Sequence, residues 1–156
     1  KLPDPLISKE TGRVVGTDGE RKMSKSLGNV IGIFDDLEVI KKQIKGCFTD
    51  PKRLKATDPG KVEGNPVFVF HDLLNSNLDE VRDLKDRYRL GTVGDVEVKD
   101  KLFEAHLRTF EKARGRRKYF EDHTDEVKEI LRAGASRATL VANETLSEVY
   151  KVIGIK

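Results

Sequence analysis

The densest group of hydrogen-bond donors in the chain lies in the segment Lys22-Met23-Ser24-Lys25-Ser26. Lysine ammonium groups are compact, strongly hydrated cations, and hydroxyl and backbone N–H groups add neutral donors that suit phosphate oxygens. Glycines at 16, 19 and 28 flank the segment and can change their backbone dihedrals at low cost, as a lid that closes on a nucleotide requires. The residue types therefore fit a polyphosphate-binding loop, and they also fit an ordinary solvated basic loop.

The segment is not a P-loop. That motif places Gly-Lys-Ser/Thr five residues after another glycine, between a strand and a helix, and the sequence around residues 22–26 has neither the spacing nor the flanking elements. Any phosphate binding here would therefore depend on lysines and hydroxyls carried by a glycine-rich loop.

Composition excludes several protein classes. The chain has 156 residues with a net charge of +3, and hydrophobic and charged residues each make up 37%, which predicts a water-soluble domain with a packed core. Cys47 is the single cysteine, so disulfide scaffolds and multi-cysteine zinc sites are excluded and a cytoplasmic setting is expected. The three histidines are scattered and predict no metal site. No apolar run reaches the ~18–20 residues that a membrane span needs.

Residues 1–30 differ in texture from the rest of the chain. Prolines and glycines recur there, and no helical period appears. Residues 5–8 and 13–15 have enough apolar content for short strands, but neither could pair stably without a sheet supplied from elsewhere. We therefore expect this segment to be a remnant of a larger domain.

Residues 34–156 carry apolar residues at helical spacing. Capping and turn residues predict helices from Asp35-Asp36 to Gly46, after Pro66, after Asn77, from near Asp95 through the basic stretch 112–118, after Thr124, and from about Ser136 to Gly154. The expected fold is mainly α, a bundle of five or six helices.

The main positive segment lies in the fourth predicted helix. Residues 99–118 contain eight Lys and Arg against three Asp and Glu, so the local excess of +5 exceeds the net charge of the whole chain. Its end places cations beside Tyr119 and Phe120, a combination typical of single-stranded RNA recognition and also of a solvated helix end. The candidate RNA-binding residues are Arg114, Arg116, Arg117 and Lys118.

Residues 22–26 are identical to the KMSKS motif of class I aminoacyl-tRNA synthetases, and Gly28-Asn29 resembles the usual continuation of that motif. Later strings resemble the bacterial-type tryptophanyl-tRNA synthetase family: TDP at 49–51, DPG at 58–60, EGNP at 63–66 and VGDVEVK at 93–99. The resemblance covers nearly the whole chain. The related tyrosyl-tRNA synthetases share the lysine-serine loop but do not usually carry the later strings, and they are the alternative.

The resemblance implies an enzyme that uses ATP to form tryptophanyl-adenylate and then transfers tryptophan to tRNA(Trp). Lys22 and Lys25 match the family's loop lysines, which meet the ATP phosphates and would be catalytic. Mg²⁺ is expected on the ATP. The ATP-binding residues implied by the resemblance are Lys22, Met23, Ser24, Lys25, Ser26 and, beside the adenine, Val14.

The family's second motif, His-Ile-Gly-His, is absent from the sequence, and the tryptophan pocket is missing with it. The resemblance therefore implies a carboxyl-terminal piece: residues 1–33 as the end of a Rossmann-type catalytic domain, and residues 34–156 as the helical anticodon-binding domain. We expect this piece to be inactive alone, with tryptophan binding and homodimer contacts in the missing half. The remaining alternatives are a free-standing helical RNA-binding module and a helical interaction domain without a nucleotide role.

Overall fold

A computed structural model describes residues 2–7 and 12–154. Within them the chain forms one 3-10 turn, Lys25–Leu27, and five α-helices, which confirms a mainly α fold. The helices are α1 (Leu37–Lys45), α2 (Pro66–Leu74), α3 (Leu78–Leu90), α4 (Asp95–Asp122) and α5 (Thr124–Ile153). The described residues contain no strand, only an isolated antiparallel bridge between Val15 and Lys22. Residues 5–7 and 13–15, which belong to the two predicted strands, form no strand, and Ser8 at the end of the first lies outside the described residues.

Local capping explains where the first helices begin and end. Gly46 follows α1, as predicted, and Pro66 opens α2, where the Asn65 side chain accepts the N–H of Val67 at 3.0 Å. Asn77 caps α3 by accepting the N–H of Glu80 at 3.2 Å. These positions agree with the starts and stops that the turn residues predict.

The predicted break near Ser136 is wrong, because α5 runs without interruption from Thr124 to Ile153. Gly134 lies inside that helix, where a glycine costs about 1 kcal/mol relative to alanine but does not remove a backbone hydrogen bond. A proline would have broken the helix, and none occurs there. Gly154 ends the helix in the left-handed conformation at φ +74°, as predicted.

The core lies among α1 to α4 and the connection from α1 to α2. Its most completely buried side chains belong to aliphatic and aromatic residues that the helical spacing places on inward faces. They are Ile40, Ile44, Val67, Phe68, Phe70, Leu84, Tyr88, Val98 and Leu102.

Arg53 ties the connection between α1 and α2 to the start of α4. Its side chain is 1% exposed and forms a 3.2 Å ion pair with Asp95. It also donates to the Val93 carbonyl at 2.6 Å and lies 4.1 Å from the centre of the Tyr88 ring, whose hydroxyl donates to Asp95 at 2.9 Å. The buried guanidinium is thus compensated by charge, hydrogen bonds and a π face.

The chain divides into two compact units, Lys1–Lys112 and Ala113–Lys156. The domain boundary that the resemblance implies after residue 33 falls inside the first unit and stays a prediction. No helix within the described residues has the combination of length and apolar character that crossing a membrane takes.

Candidate functional site

The lysine-serine loop is one arm of a short hairpin. The Met23 N–H donates to the Val14 carbonyl at 2.9 Å, and the Gly16 N–H donates to the Arg21 carbonyl at 2.8 Å. The chain then enters the turn Lys25–Leu27, which Gly28 ends at φ +68° by donating its N–H to the Lys25 carbonyl. The glycine is required there, because L side chains disfavour this left-handed conformation.

Lys22 and Lys25 are exposed, and neither ammonium group has a hydrogen bond or ion pair to any described residue. The two hydroxyl oxygens of Ser24 and Ser26 lie 2.9 Å apart. Val14 and Met23 are instead partly buried and pack against the core. Lys22 therefore lies on the arm that leads into the turn and Lys25 begins the turn, with the Ser24 and Ser26 hydroxyls beside Lys25 in sequence and Met23 packed against the core.

The base of this loop is organised by Asn29, which is 4% exposed. Its Oδ1 accepts the Ser24 N–H at 2.8 Å, and its Nδ2 donates to Asp18 Oδ2 at 2.9 Å and to the Lys22 carbonyl at 3.3 Å. The sequence identifies Asn29 only through the family motif and gives Asp18 no role, since their contact joins residues eleven positions apart.

The Asp18 carboxylate is held by several donors. Partial burial alone would raise its pKa, but hydrogen bonds from the Asn29 side chain, the backbone N–H groups of Glu20 and Arg21, and the Arg21 side chain lower the pKa to about 2. Asp18 is therefore ionised at neutral pH and accepts the Asn29 amide as a charged partner.

A second set of contacts joins the hairpin, at Thr17, to the segment that follows α1. The Phe48 N–H donates to the Thr17 carbonyl at 2.8 Å. Lys99 on α4 reaches back to the same place, where its Nζ donates to the carbonyls of Lys45 and Cys47 at 2.7 Å each. Burial lowers the pKa of Lys99. Sequence spacing could not find this contact, because Lys99 and Cys47 are 52 residues apart.

Cys47 and His71 serve packing. Burial raises the pKa of the Cys47 thiol to about 11, so it is neutral and a poor nucleophile at physiological pH. His71 is fully buried, with Nε2 at 2.9 Å from the Val98 carbonyl. In the part of the chain that the structure describes, no three His, Cys, Asp or Glu residues are grouped as a metal site requires.

The basic residues at the end of α4 lie on two faces of the helix. Arg114, Arg117 and Lys118 are spaced i, i+3, i+4 and share one face. Arg116 is two residues from Arg114, about 200° around the helix, and its guanidinium carbon lies 6.0 Å from the Phe120 ring centre. The four predicted RNA-binding residues thus form a three-residue group plus one cation beside an aromatic ring.

Aromatic and acidic side chains lie next to the basic residues at the end of α4. Tyr119 stacks on His123 at 4.1 Å between ring centres, and its hydroxyl donates to Glu126 at 2.9 Å. That hydrogen bond and the charge of Glu126 raise the pKa of Tyr119. Arg117 pairs with Glu121 at 2.7 Å. The surface therefore offers positive charge with interspersed carboxylates rather than a uniform basic stripe.

Comparison with known proteins finds relatives along most of the chain. The family model described as tRNA synthetases class I (W and Y) matches residues 1–111. Tryptophan–tRNA ligases of Treponema pallidum and Borreliella burgdorferi are each 46% identical over 155 residues, 99% of this chain, but only 45% and 44% of the relatives.

A solved structure shows the same relation. The crystal structure of tryptophanyl-tRNA synthetase from Campylobacter jejuni, complexed with ADP and tryptophan, matches with a TM-score of 0.84 and 34% identity. The match covers 99% of this chain and 47% of that one, so the chain spans somewhat less than half the length of the relatives it matches. With a matching family model over most of its residues, the chain belongs to the class I tRNA synthetases of the tryptophan and tyrosine group.

Proposed function

We propose that this chain works as part of a tryptophan–tRNA ligase, which activates tryptophan with ATP and transfers it to tRNA(Trp). The observation that carries the proposal is the match to tryptophan–tRNA ligases along 99% of the chain, including a loop with two exposed lysines. Residues 1–33 would complete a Rossmann-type catalytic domain, and residues 34–156 would form the anticodon-binding domain. Tryptophan binding and homodimer contacts would belong to the part of the enzyme outside this sequence. The whole enzyme would act in the cytoplasm.

The loop lysines would act on the charge that develops during activation. As the tryptophan carboxylate attacks the α-phosphorus of ATP, negative charge builds on the departing pyrophosphate. A cation aimed at that charge favours the transition state over the ground state. Lys22 and Lys25 would supply it, Ser24 and Ser26 would add hydrogen bonds, and Val14 would lie by the adenine.

Mg²⁺ would enter with ATP as part of the substrate. The groups that the loop presents are ammoniums and hydroxyls, whereas Mg²⁺ prefers carboxylate, phosphate and water oxygens. The loop therefore does not fit a resident magnesium site.

The loop assignment can be tested in a complete enzyme in which this chain replaces the matching 155 residues of the Treponema pallidum ligase. Lys25→Met is expected to slow tryptophan-dependent pyrophosphate exchange on the order of a hundredfold, because a preorganised cation is lost from the transition state. Lys55→Met, a lysine outside the loop, is the matched control. An inactive unsubstituted chimera, or equal rates for the two variants, would contradict the proposed function. The 156-residue chain alone should show no exchange.

The tRNA assignment can be tested with the 156-residue chain. Each lost phosphate contact lowers the salt slope of binding by about one, so Arg116→Glu with Arg117→Glu should reduce the slope for tRNA(Trp) by about two. Lys61→Glu with Arg82→Glu changes the net charge equally and should leave the slope nearly unchanged. Equal slopes for both pairs would assign the binding to overall charge. Absence of any salt-dependent binding would favour a helical interaction domain.

A further inference from the structure

The amide of Asn29 has a defined orientation at the base of the lysine-serine loop. Oδ1 faces a donor, the Ser24 N–H at 2.8 Å, while Nδ2 faces two acceptors, Asp18 Oδ2 at 2.9 Å and the Lys22 carbonyl at 3.3 Å. A flipped amide would oppose donor to donor and acceptor to acceptor. One buried side chain therefore fixes the backbone on both sides of Met23.

Asp18 holds that amide from the opposite arm of the hairpin. Its Oδ1 accepts the N–H groups of Glu20 and Arg21 at 3.2 and 3.1 Å, and its Oδ2 accepts Arg21 Nε at 3.0 Å as well as the Asn29 amide. The carboxylate is thus fixed to its own turn before it meets Asn29. Charge-assisted bonds of this kind are stronger than neutral ones.

Gly16 leaves the space that this arrangement needs. A Cβ at position 16 would come within 2.1 Å of Asn29 Nδ2 and 2.4 Å of its Cγ. The amide therefore packs directly on the Gly16 backbone, and the Thr17 N–H donates to the Asn29 carbonyl at 3.0 Å. Asn29 therefore contacts the Gly16–Thr17 backbone, the Asp18 carboxylate and the Ser24 N–H of the loop.

We propose that Asn29 and Asp18 are positioning residues for ATP activation: the Asp18–Asn29 pair sets the backbone from which Lys22 and Lys25 reach the phosphates. The inference rests on the proposed function of the loop. In this role neither residue would itself contact ATP. Because the two ammoniums are otherwise unattached to the described protein, their location depends on the backbone beneath them, and a displacement of about 1 Å can cost a hundredfold in rate.

The test uses Asn29→Asp in the chimeric enzyme described above. The substitution keeps size and shape and retains the acceptor for the Ser24 N–H, but it replaces the donor with a carboxylate oxygen at the Asp18 carboxylate. We expect kcat for pyrophosphate exchange to fall on the order of 10- to 100-fold, with the KM for tryptophan unchanged. Asn143→Asp, at an exposed position on α5, is the matched control and should keep kcat within about twofold.

Two further variants separate positioning from general instability. Asp18→Asn combined with Asn29→Asp restores a donor-to-acceptor contact between the two side chains but leaves the Lys22 carbonyl and Arg21 Nε without their partners, so it should recover part of the lost kcat, about threefold or more. Asn29→Asp in a Lys25→Met background should slow exchange less than it does alone, because part of its effect passes through that lysine. Active-site titration corrects every rate for the folded fraction.

The outcomes distinguish this inference from the proposed function. If Lys25→Met abolishes exchange while Asn29→Asp keeps full kcat, the loop assignment stands and the positioning role is wrong. If the exchanged pair recovers nothing, or the Asn29 and Lys25 effects multiply independently, the pair does not position the lysine. Equal exchange by the Lys25→Met and Lys55→Met enzymes would remove the proposed function itself.

Discussion

The two units of this chain use the same sequence pattern with different results. In the first unit the helical stripes of α1 to α4 are buried, and Ile40 and Leu102 are 0% exposed. In the second, no residue between 113 and 154 is buried, although α5 carries an apolar stripe through Ile130, Leu131 and Val141. Periodicity thus identifies which residues share a helix face, while burial depends on what another part of the structure places against it.

The largest contrast should appear on removing a leucine from each unit. Leu102→Ala on α4 opens a cavity in a packed core and should lower the free energy of unfolding of the first unit by about 2–5 kcal/mol. Leu131→Ala on α5 removes a side chain that is 66% exposed. It should change the free energy of unfolding of the second unit by no more than about 0.5 kcal/mol. Urea unfolding of the 156-residue chain, monitored by amide hydrogen exchange in α3 and in α5, measures the free energy of unfolding of each unit. Similar costs would mean that the stripe of α5 is covered in solution.

The first unit could be predicted well from the sequence where local chemistry decides. Asn65 with Pro66, Asn77 and Gly46 mark helix ends through contacts within a few residues, and the predicted boundaries agree with the structure. The length of α5 could not be predicted, because a glycine beside small residues is compatible with both a break and a continuous helix.

Contacts between residues far apart in the sequence lie beyond such reasoning. Arg53 meets Asp95 across 42 residues, and Lys99 reaches the end of α1 across more than 50. The roles of the loop lysines are predicted from the sequence because their types and spacing form a motif, whereas the Asp18–Asn29 contact depends on how the hairpin closes.

A smaller effect should distinguish the units by their response to pH. His71 in α2 is buried, its Nδ1 lies 3.3 Å from the Asn75 amide nitrogen, and Glu80, Asp72 and Lys85 are the charged groups around it. Burial lowers its pKa below the usual 6.5 despite the Val98 carbonyl and the two carboxylates, which act in the opposite direction. The folded state therefore disfavours the imidazolium relative to the unfolded chain.

The sign of the pH effect follows from this depressed pKa. The stability that the neutral ring supports is fully present above about pH 6.5 and falls as the pH drops towards the folded-state pKa, at up to about 1.4 kcal/mol per pH unit. His71→Gln should flatten this dependence between pH 7 and 5, measured by urea unfolding. Helix α5 contains no histidine and is the internal control. An unchanged slope in His71→Gln would show that His71 does not cause the loss.

The smallest effect concerns the exposed helix of the second unit. Gly134 lies inside α5 with no atom within 4 Å of the position that a Cβ would occupy. Because α5 lacks buried contacts within the described residues, its stability depends on intrinsic propensity and local pairs such as Lys128 with Asp125. Gly134→Ala should therefore stabilise α5 by up to about 1 kcal/mol, seen as slower amide exchange in that helix and no change in α3.

Gly154 gives the matched control on the same helix. It also has open space around it, but its φ of +74° is a conformation that L side chains disfavour. Gly154→Ala should therefore weaken the last turn by about 1 kcal/mol, with exchange accelerated at the carboxyl end alone. If Gly134→Ala left exchange in α5 unchanged, helix propensity would not limit its stability, and a covering surface for its apolar stripe would have to be sought.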